Sequence, residues 1–165
     1  MDISSKILTL ADLLPKIQAL CSDGNTIVFT NGCFDLIHAG HVDYLNAAKE
    51  EGDVLVLGLN SDESIKNIKG KNRPIICQEQ RAMVISALYS VDFVVIFDEP
   101  DPLNLICAIK PHVLVKGDDW GEDEIIGGDC VIQNGGRVVR IPFRTDISTS
   151  EIINTIINKY AGYRP

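Results

Sequence analysis

The stretch from Thr26 to Leu59 restricts the possible folds more than any other part of the chain. Thr26-Ile27-Val28-Phe29 is a short β-branched and aromatic run behind Gly24-Asn25, the pattern of a buried strand. Val42, Leu45 and Ala48 recur at helical spacing, with Tyr44 and Ala47 widening the apolar face. Between them lies Thr30-Asn31-Gly32-Cys33-Phe34-Asp35-Leu36-Ile37-His38-Ala39-Gly40-His41, a glycine-containing turn that opens the helix. Val54 to Leu59 is then continuously apolar and short, as a strand covered on both faces should be. Strand, helix, strand at this spacing is a βαβ unit. It implies parallel pairing with a right-handed crossover, and a ligand edge at the strands' C-terminal ends.

The remaining pattern repeats that unit. Leu8, Leu10, Leu13, Leu14, Ile17 and Leu20 predict a covering helix over about Thr9 to Cys21, kinked or restarted by Pro15. Met83, Val84, Ala87 and Leu88 predict a helix after Gln78. Phe93 to Phe97, Val113 to Val115 and Arg137 to Ile141 read as three more strands. Pro102 suits the first position of a helix carrying Leu103, Ile106 and Ile109. Ser148 with Glu151 forms a capping box before the stripe Ile152, Ile153, Ile156, Ile157. The expectation is a Rossmann-like, doubly wound, five-stranded parallel sheet with helices on both faces. It forms a single domain over residues 1–165, with a loose tail from about 160 to 165.

The candidate site is read from what gathers at the ligand edge. His38 and His41 sit three apart at a helix mouth, where unpaired N–H groups and the helix dipole favour an anion, and Gly40 permits close approach. The zincin spacing, i and i+4 with a Glu, is not present. Lys66, Lys69, Lys71 and Arg73 follow the second strand. A charge run is usually a solvated face, but the net charge here is −8, and a local cluster against that sign suits a polyphosphate. Arg81 opposes the dipole of its own helix, so it serves either a ligand or a salt bridge. Lys116-Gly117-Asp118-Asp119-Trp120 leaves the fourth strand at the ligand edge. Ser148-Thr149-Ser150 is either an ordinary cap or a second anion site.

Composition removes other classes. A strongly acidic surface argues against DNA, RNA or tRNA as partner. No apolar run reaches membrane-spanning length, and Met1 to Ser5 is no signal peptide. Cys21, Cys33, Cys77, Cys107 and Cys130 are scattered and odd in number, a poor disulfide or zinc framework that points to a reducing cytoplasm. No Ser-His-Asp arrangement, Walker lysine or obvious general base appears. A phosphate acceptor needs none, because it is already ionised at neutral pH. Asp35 is then the protein group most suited to Mg²⁺, or equally a packing or capping residue.

The H-x-G-H string His38-Ala39-Gly40-His41 resembles that of the nucleotidyltransferase superfamily that also contains the class I aminoacyl-tRNA synthetases. Asn31 to Leu45, Lys69-Gly70-Lys71-Asn72-Arg73-Pro74 and Gly135-Gly136 resemble, more narrowly, the adenylyltransferase domain that makes ADP-heptose. Gly117-Asp118-Asp119-Trp120 and Arg144 are similar to glycerol-3-phosphate cytidylyltransferases, and the heptose enzymes more often have Gly where Asp118 stands. The resemblance spans about Leu8 to Ile157. It implies transfer of AMP from ATP to D-glycero-β-D-manno-heptose 1-phosphate, with a CTP-dependent enzyme acting on glycerol 3-phosphate or another small phosphate as the alternative. A non-catalytic nucleotide-binding module is the more distant reading.

By that resemblance His38, His41, Lys69 and Arg144 are catalytic. Thr30, Asn31, Gly32, Cys33, Phe34, Gly40, Lys116, Gly117, Asp119, Ser148, Thr149 and Ser150 hold the nucleotide. Arg73 and Arg81 take the substrate phosphate, and Asp35 is the Mg²⁺ candidate. The relatives also suggest a homodimer, and their frequent fusion to a sugar kinase implies a separate kinase here.

Overall fold

The computed structural model describes residues 3–118, 125–142 and 147–162. Five parallel strands form one sheet: β1 (Ile27–Gly32), β2 (Val54–Asn60), β3 (Phe93–Phe97), β4 (Val113–Gly117) and β5 (Arg137–Ile141), in the order β3-β2-β1-β4-β5. The direction of winding reverses between β1 and β4, the place where an open α/β sheet accepts ligands. β1 and β2 pair along their length, from Ile27 opposite Val54 to Gly32 opposite Leu59. All seven residues of β2 are buried, which explains its unbroken apolar run.

Alternation along β1 divides the core. Val28 packs with Leu45, Ala48, Ala82 and Ile85, from α2 (Ala39–Lys49) and α4 (Gln78–Ser86). Phe29 points the other way, toward Leu13, Ile17, Leu105, Ile106 and Val131, from α1 (Leu10–Ser22), α5 (Leu103–Ile109) and α6 (Gly128–Gln133). The expected two-faced sheet is therefore present, with the core on both sides of it.

Three details differ from the sequence reading. α1 runs unbroken through Pro15, which lies on the exposed side, and Thr9 caps it by accepting from Asp12 N. Part of the basic segment is helical: α3 (Asp62–Lys69) starts at the Ser61 cap and ends at Gly70, whose φ is +92°. Asp62 and Glu63 in its first turn and Lys66 and Lys69 in its last complement the helix dipole. Cys107 and Cys130, 23 residues apart, are joined as a disulfide with Cα atoms 5.9 Å apart, tying α5 to α6. Their scattered spacing carried no pairing signal, and the reading of a poor disulfide framework is corrected for this pair. Among the described residues no helix is long and apolar enough to cross a membrane.

Candidate active site

A cleft of about 440 Å³ opens at the C-terminal edge of the sheet. β1 delivers Asn31 and Gly32 into it, and the turn that follows adds Cys33 and Phe34. Phe34 holds a left-handed φ of +45°, uncommon for a residue with a side chain. That conformation lays its ring back over Gly32, where an added Cβ would stand 2.8 Å from ring carbon Cε2. The same ring lies tilted on His41 at a centroid distance of 5.0 Å. Gly32, Phe34 and His41 are thus one packed unit.

His38 is the N-cap residue of α2, yet its side chain makes no cap bond. Its ring stacks on that of His41, centroids 3.8 Å apart and planes at 26°. Both Nδ1 atoms are buried without a partner among the described residues. Orphaned buried polar atoms call for an explanation. These rings are placed by stacking and do no capping work. Burial, then the charges of His38 and Lys69, push the His41 pKa down to about 4 against a smaller pull from the Leu36 carbonyl. Burial lowers His38 too, with Glu151 opposing. Both rings are neutral at physiological pH, fit to donate hydrogen bonds to phosphate oxygens.

Cations stand around this pair. Lys69, at the end of α3, is exposed and lines the cleft. Lys116, on β4, is buried, and its ammonium donates to Asn31 Oδ1 across the switch point. Arg73, Gly117 and Thr149 complete the wall on this side. Thr149 opens α7 (Thr149–Tyr160), and its hydroxyl donates to the Leu36 carbonyl at 3.4 Å, which carries that helix mouth to the His38 turn. Burial raises the Cys33 thiol above its ordinary value despite Lys69, Arg81 and Arg73 nearby, so it is a protonated wall residue and no thiolate nucleophile.

Several of the expected site residues are engaged within the protein itself or stand off the cleft wall. Asp35 is buried, and its carboxylate accepts from Arg73 Nε (2.6 Å), Ile75 N (2.8 Å) and Ile76 N (2.9 Å). Both oxygens are engaged by protein donors, which leaves this carboxylate a poor fit for the Mg²⁺ expected there. Arg81 is 1% exposed and donates to the Cys33 carbonyl (2.6 Å), the Ile76 carbonyl (2.9 Å) and Asp62 Oδ1 (2.8 Å). Its guanidinium is spent on the scaffold and cannot reach a substrate phosphate. Thr30 is wholly buried against the Tyr44 hydroxyl at 2.8 Å, off the cleft wall. Ser148 accepts from Glu151 N and gives its own N–H to Glu151 Oε2, a complete capping box. Ser150 is exposed on the first turn of α7, and Gly40 is buried in that of α2. Asp119 and Arg144 lie outside the described residues.

The sequence reading also missed part of the wall. Asn60, Asp101, Ile125 and Ile126 line the cleft. Asn60 ends β2, and Asp101, Ile125 and Ile126 lie in the connections after β3 and β4; those positions were the available signal.

A cytidylyltransferase-like family pattern matches residues 29–155, which takes in the whole of this site. The chain belongs to the cytidylyltransferase-like family. A bifunctional protein HldE of Pelobacter propionicus is 48% identical over 160 residues, 97% of this chain and 33% of that protein. The chain therefore spans about a third of the length of the curated relatives it matches. Among solved structures, a lipopolysaccharide core biosynthesis protein from Thermoplasma volcanium GSS1 superposes with a TM-score of 0.62 and 30% identity. It covers 75% of this chain and all of that one. A pantoate-beta-alanine ligase from Francisella tularensis, in complex with a β,γ-ATP compound and β-alanine, has a TM-score of 0.61 over 92% of this chain and 77% of its own. At 17% identity it shows the fold alone. Within the cytidylyltransferase-like family, this chain presents its two histidines and its cations on one edge of the sheet.

Proposed function

We infer that the chain is a nucleotidyltransferase domain that moves AMP from ATP to a sugar 1-phosphate, with D-glycero-β-D-manno-heptose 1-phosphate as acceptor and ADP-heptose and pyrophosphate as products. The observation that carries this reading is His41, stacked on His38 at the mouth of α2 and lining one cleft with Lys69, Lys116 and Thr149. An oxygen of the acceptor phosphate attacks the α-phosphorus. The new P–O bond forms as the bond to the β-phosphate bridge breaks, and pyrophosphate leaves with the electron pair. No proton need be removed, so catalysis reduces to alignment and neutralisation of growing charge. His41 and His38 supply hydrogen bonds and Lys69 supplies charge. Asn31 and Lys116 hold the nucleotide against β1 and β4, and Arg73, anchored by Asp35, faces the acceptor phosphate.

Magnesium on this reading arrives with the triphosphate as part of the co-substrate, since Asp35 is otherwise engaged. Likeness to the bifunctional HldE proteins and to the lipopolysaccharide core protein supports the choice of heptose. A kinase must supply the 1-phosphate, and a homodimer in the cytoplasm is the assembly proposed. Pyrophosphate release measured across the four NTPs and a panel of sugar and polyol phosphates tests the assignment. ATP with heptose 1-phosphate should be the fastest pair. CTP with glycerol 3-phosphate as the productive pair would overturn it, and nucleotide binding without turnover would leave only a binding module.

A further inference from the structure

Three neighbouring strands present polar side chains on one face of the sheet at its ligand edge. Asn31 lies two residues beyond Phe29 on β1, Lys116 two beyond Leu114 on β4, and Asn60 four beyond Val56 on β2. Phe29, Leu114 and Val56 all belong to the core on the α1–α5 side. The two-residue period of a strand therefore turns all three the same way, and all three line the cleft. The row is uneven in charge. The Lys116 ammonium donates to Asn31 Oδ1, so the β1–β4 end is cationic, while Asn60 stands on the other side of β1 and is neutral. Asn60 is only 4% exposed, and hydrogen bonding fixes which way its amide faces. The Ser64 hydroxyl gives its one hydrogen to the Glu99 carbonyl at 2.9 Å, so its oxygen can only accept from Asn60 Nδ2, at 3.0 Å. That leaves Asn60 Oδ1 for the cleft, without a partner among the described residues. A nearly buried amide oxygen left unpaired costs free energy that a bound donor recovers.

We propose that Asn60 is a specificity residue for the acceptor, its Oδ1 accepting a hydrogen bond from a hydroxyl of the sugar. An ionised phosphate brings acceptors and no donor, so the group that meets Oδ1 carries an O–H or N–H. The functional reading above holds the nucleotide at β1 and β4, which leaves the β2 side to the other substrate; the inference rests on that reading. The acceptor is then a phosphorylated sugar or polyol with a free hydroxyl in reach of the end of β2.

Asn60→Ala removes the acceptor oxygen while Ser64 keeps its bond to Glu99. The KM for heptose 1-phosphate should rise about fivefold, the worth of one neutral hydrogen bond, and the KM for ATP should stay within about twofold. Deoxy analogues of heptose 1-phosphate, each lacking one hydroxyl, supply a readout that a merely structural role would not move. The wild type should penalise one of them about fivefold in kcat/KM, and the variant should not penalise that one at all. Asn60→Ser, too short to reach the same hydroxyl, takes its place should the Ala variant fail to fold. Penalties that are equal in wild type and variant for every analogue overturn the inference. So does a penalty on 2′-deoxy-ATP that disappears in the variant instead, which would put Asn60 on the ribose. Wild-type protein inert toward every sugar 1-phosphate would overturn the functional reading itself, and this inference with it.

Discussion

His41 concentrates the chemistry of the site in one side chain. Its ring is packed by both Phe34 and His38, and it is neutral because burial disfavours the charge. Removing one preorganised donor of this kind typically lowers kcat by about 10² to 10³. His41→Ala should do so with little change in ATP affinity, measured by pyrophosphate release beside calorimetric binding. A parallel loss of binding would make the ring a ligand-holding group and no more. Gly32 serves the same unit from below. Gly32→Ala sets a methyl 2.8 Å from the Phe34 ring, so the ring or the strand must shift. Overpacking of that kind costs about 1–3 kcal/mol. Thermal unfolding should show that loss, together with reduced turnover from the displaced His41.

At the scale of elements, a pair of buried charges holds the basic segment to the glycine turn. Asp35 accepts from Ile76 N while Arg81 donates to the carbonyl of the same residue, so one residue is held through both of its flanking peptides. Arg81 also reaches Cys33 and Asp62, joining the turn after β1, the segment after α3 and the start of α3. Truncating a buried, fully bonded charge strands its partners and costs about 3–5 kcal/mol. Arg81→Met should lose stability of that order in urea unfolding, and a loss below about 1 kcal/mol would contradict the clamp. α7 is held differently. None of its residues is buried, so its first turn depends heavily on the Ser148–Glu151 box. Ser148→Ala should cost about 1 kcal/mol locally, seen as faster amide exchange at Glu151 and Ile152, with exchange in β1 unchanged.

Across the whole molecule, two buried titrating groups give stability the same dependence on pH. For His41 the folded pKa, about 4, lies below the unfolded value of 6.5. The unfolded chain therefore binds the proton first as pH falls, and stability drops from about pH 6.5 toward 4. Allowing for partial exposure of the ring, the loss is on the order of 2 kcal/mol. Burial raises the Asp35 carboxyl, but the Ile76 and Ile75 N–H groups and Arg73 outweigh it and hold the net value below the ordinary one. Its contribution is present above the unfolded pKa and is lost only in stronger acid. Urea midpoints between pH 7 and 4 should fall for the wild type and fall less for His41→Ala; parallel curves would show that His41 is not the group responsible.

The amino-acid sequence by itself determined the strands, their parallel order of march and the pair of histidines at the mouth of α2. These rest on periodicities of two and 3.6 residues and on turn residues, all local in the chain. It did not determine what Asp35, Arg81 or Thr30 would do, because the groups that consume them lie 38, 48 and 14 residues away and meet only when the sheet is assembled. The meeting of Cys107 with Cys130 was decided in the same way. A charge near a ligand edge can face the ligand or hold the edge in place, and only packing in three dimensions chooses between the two.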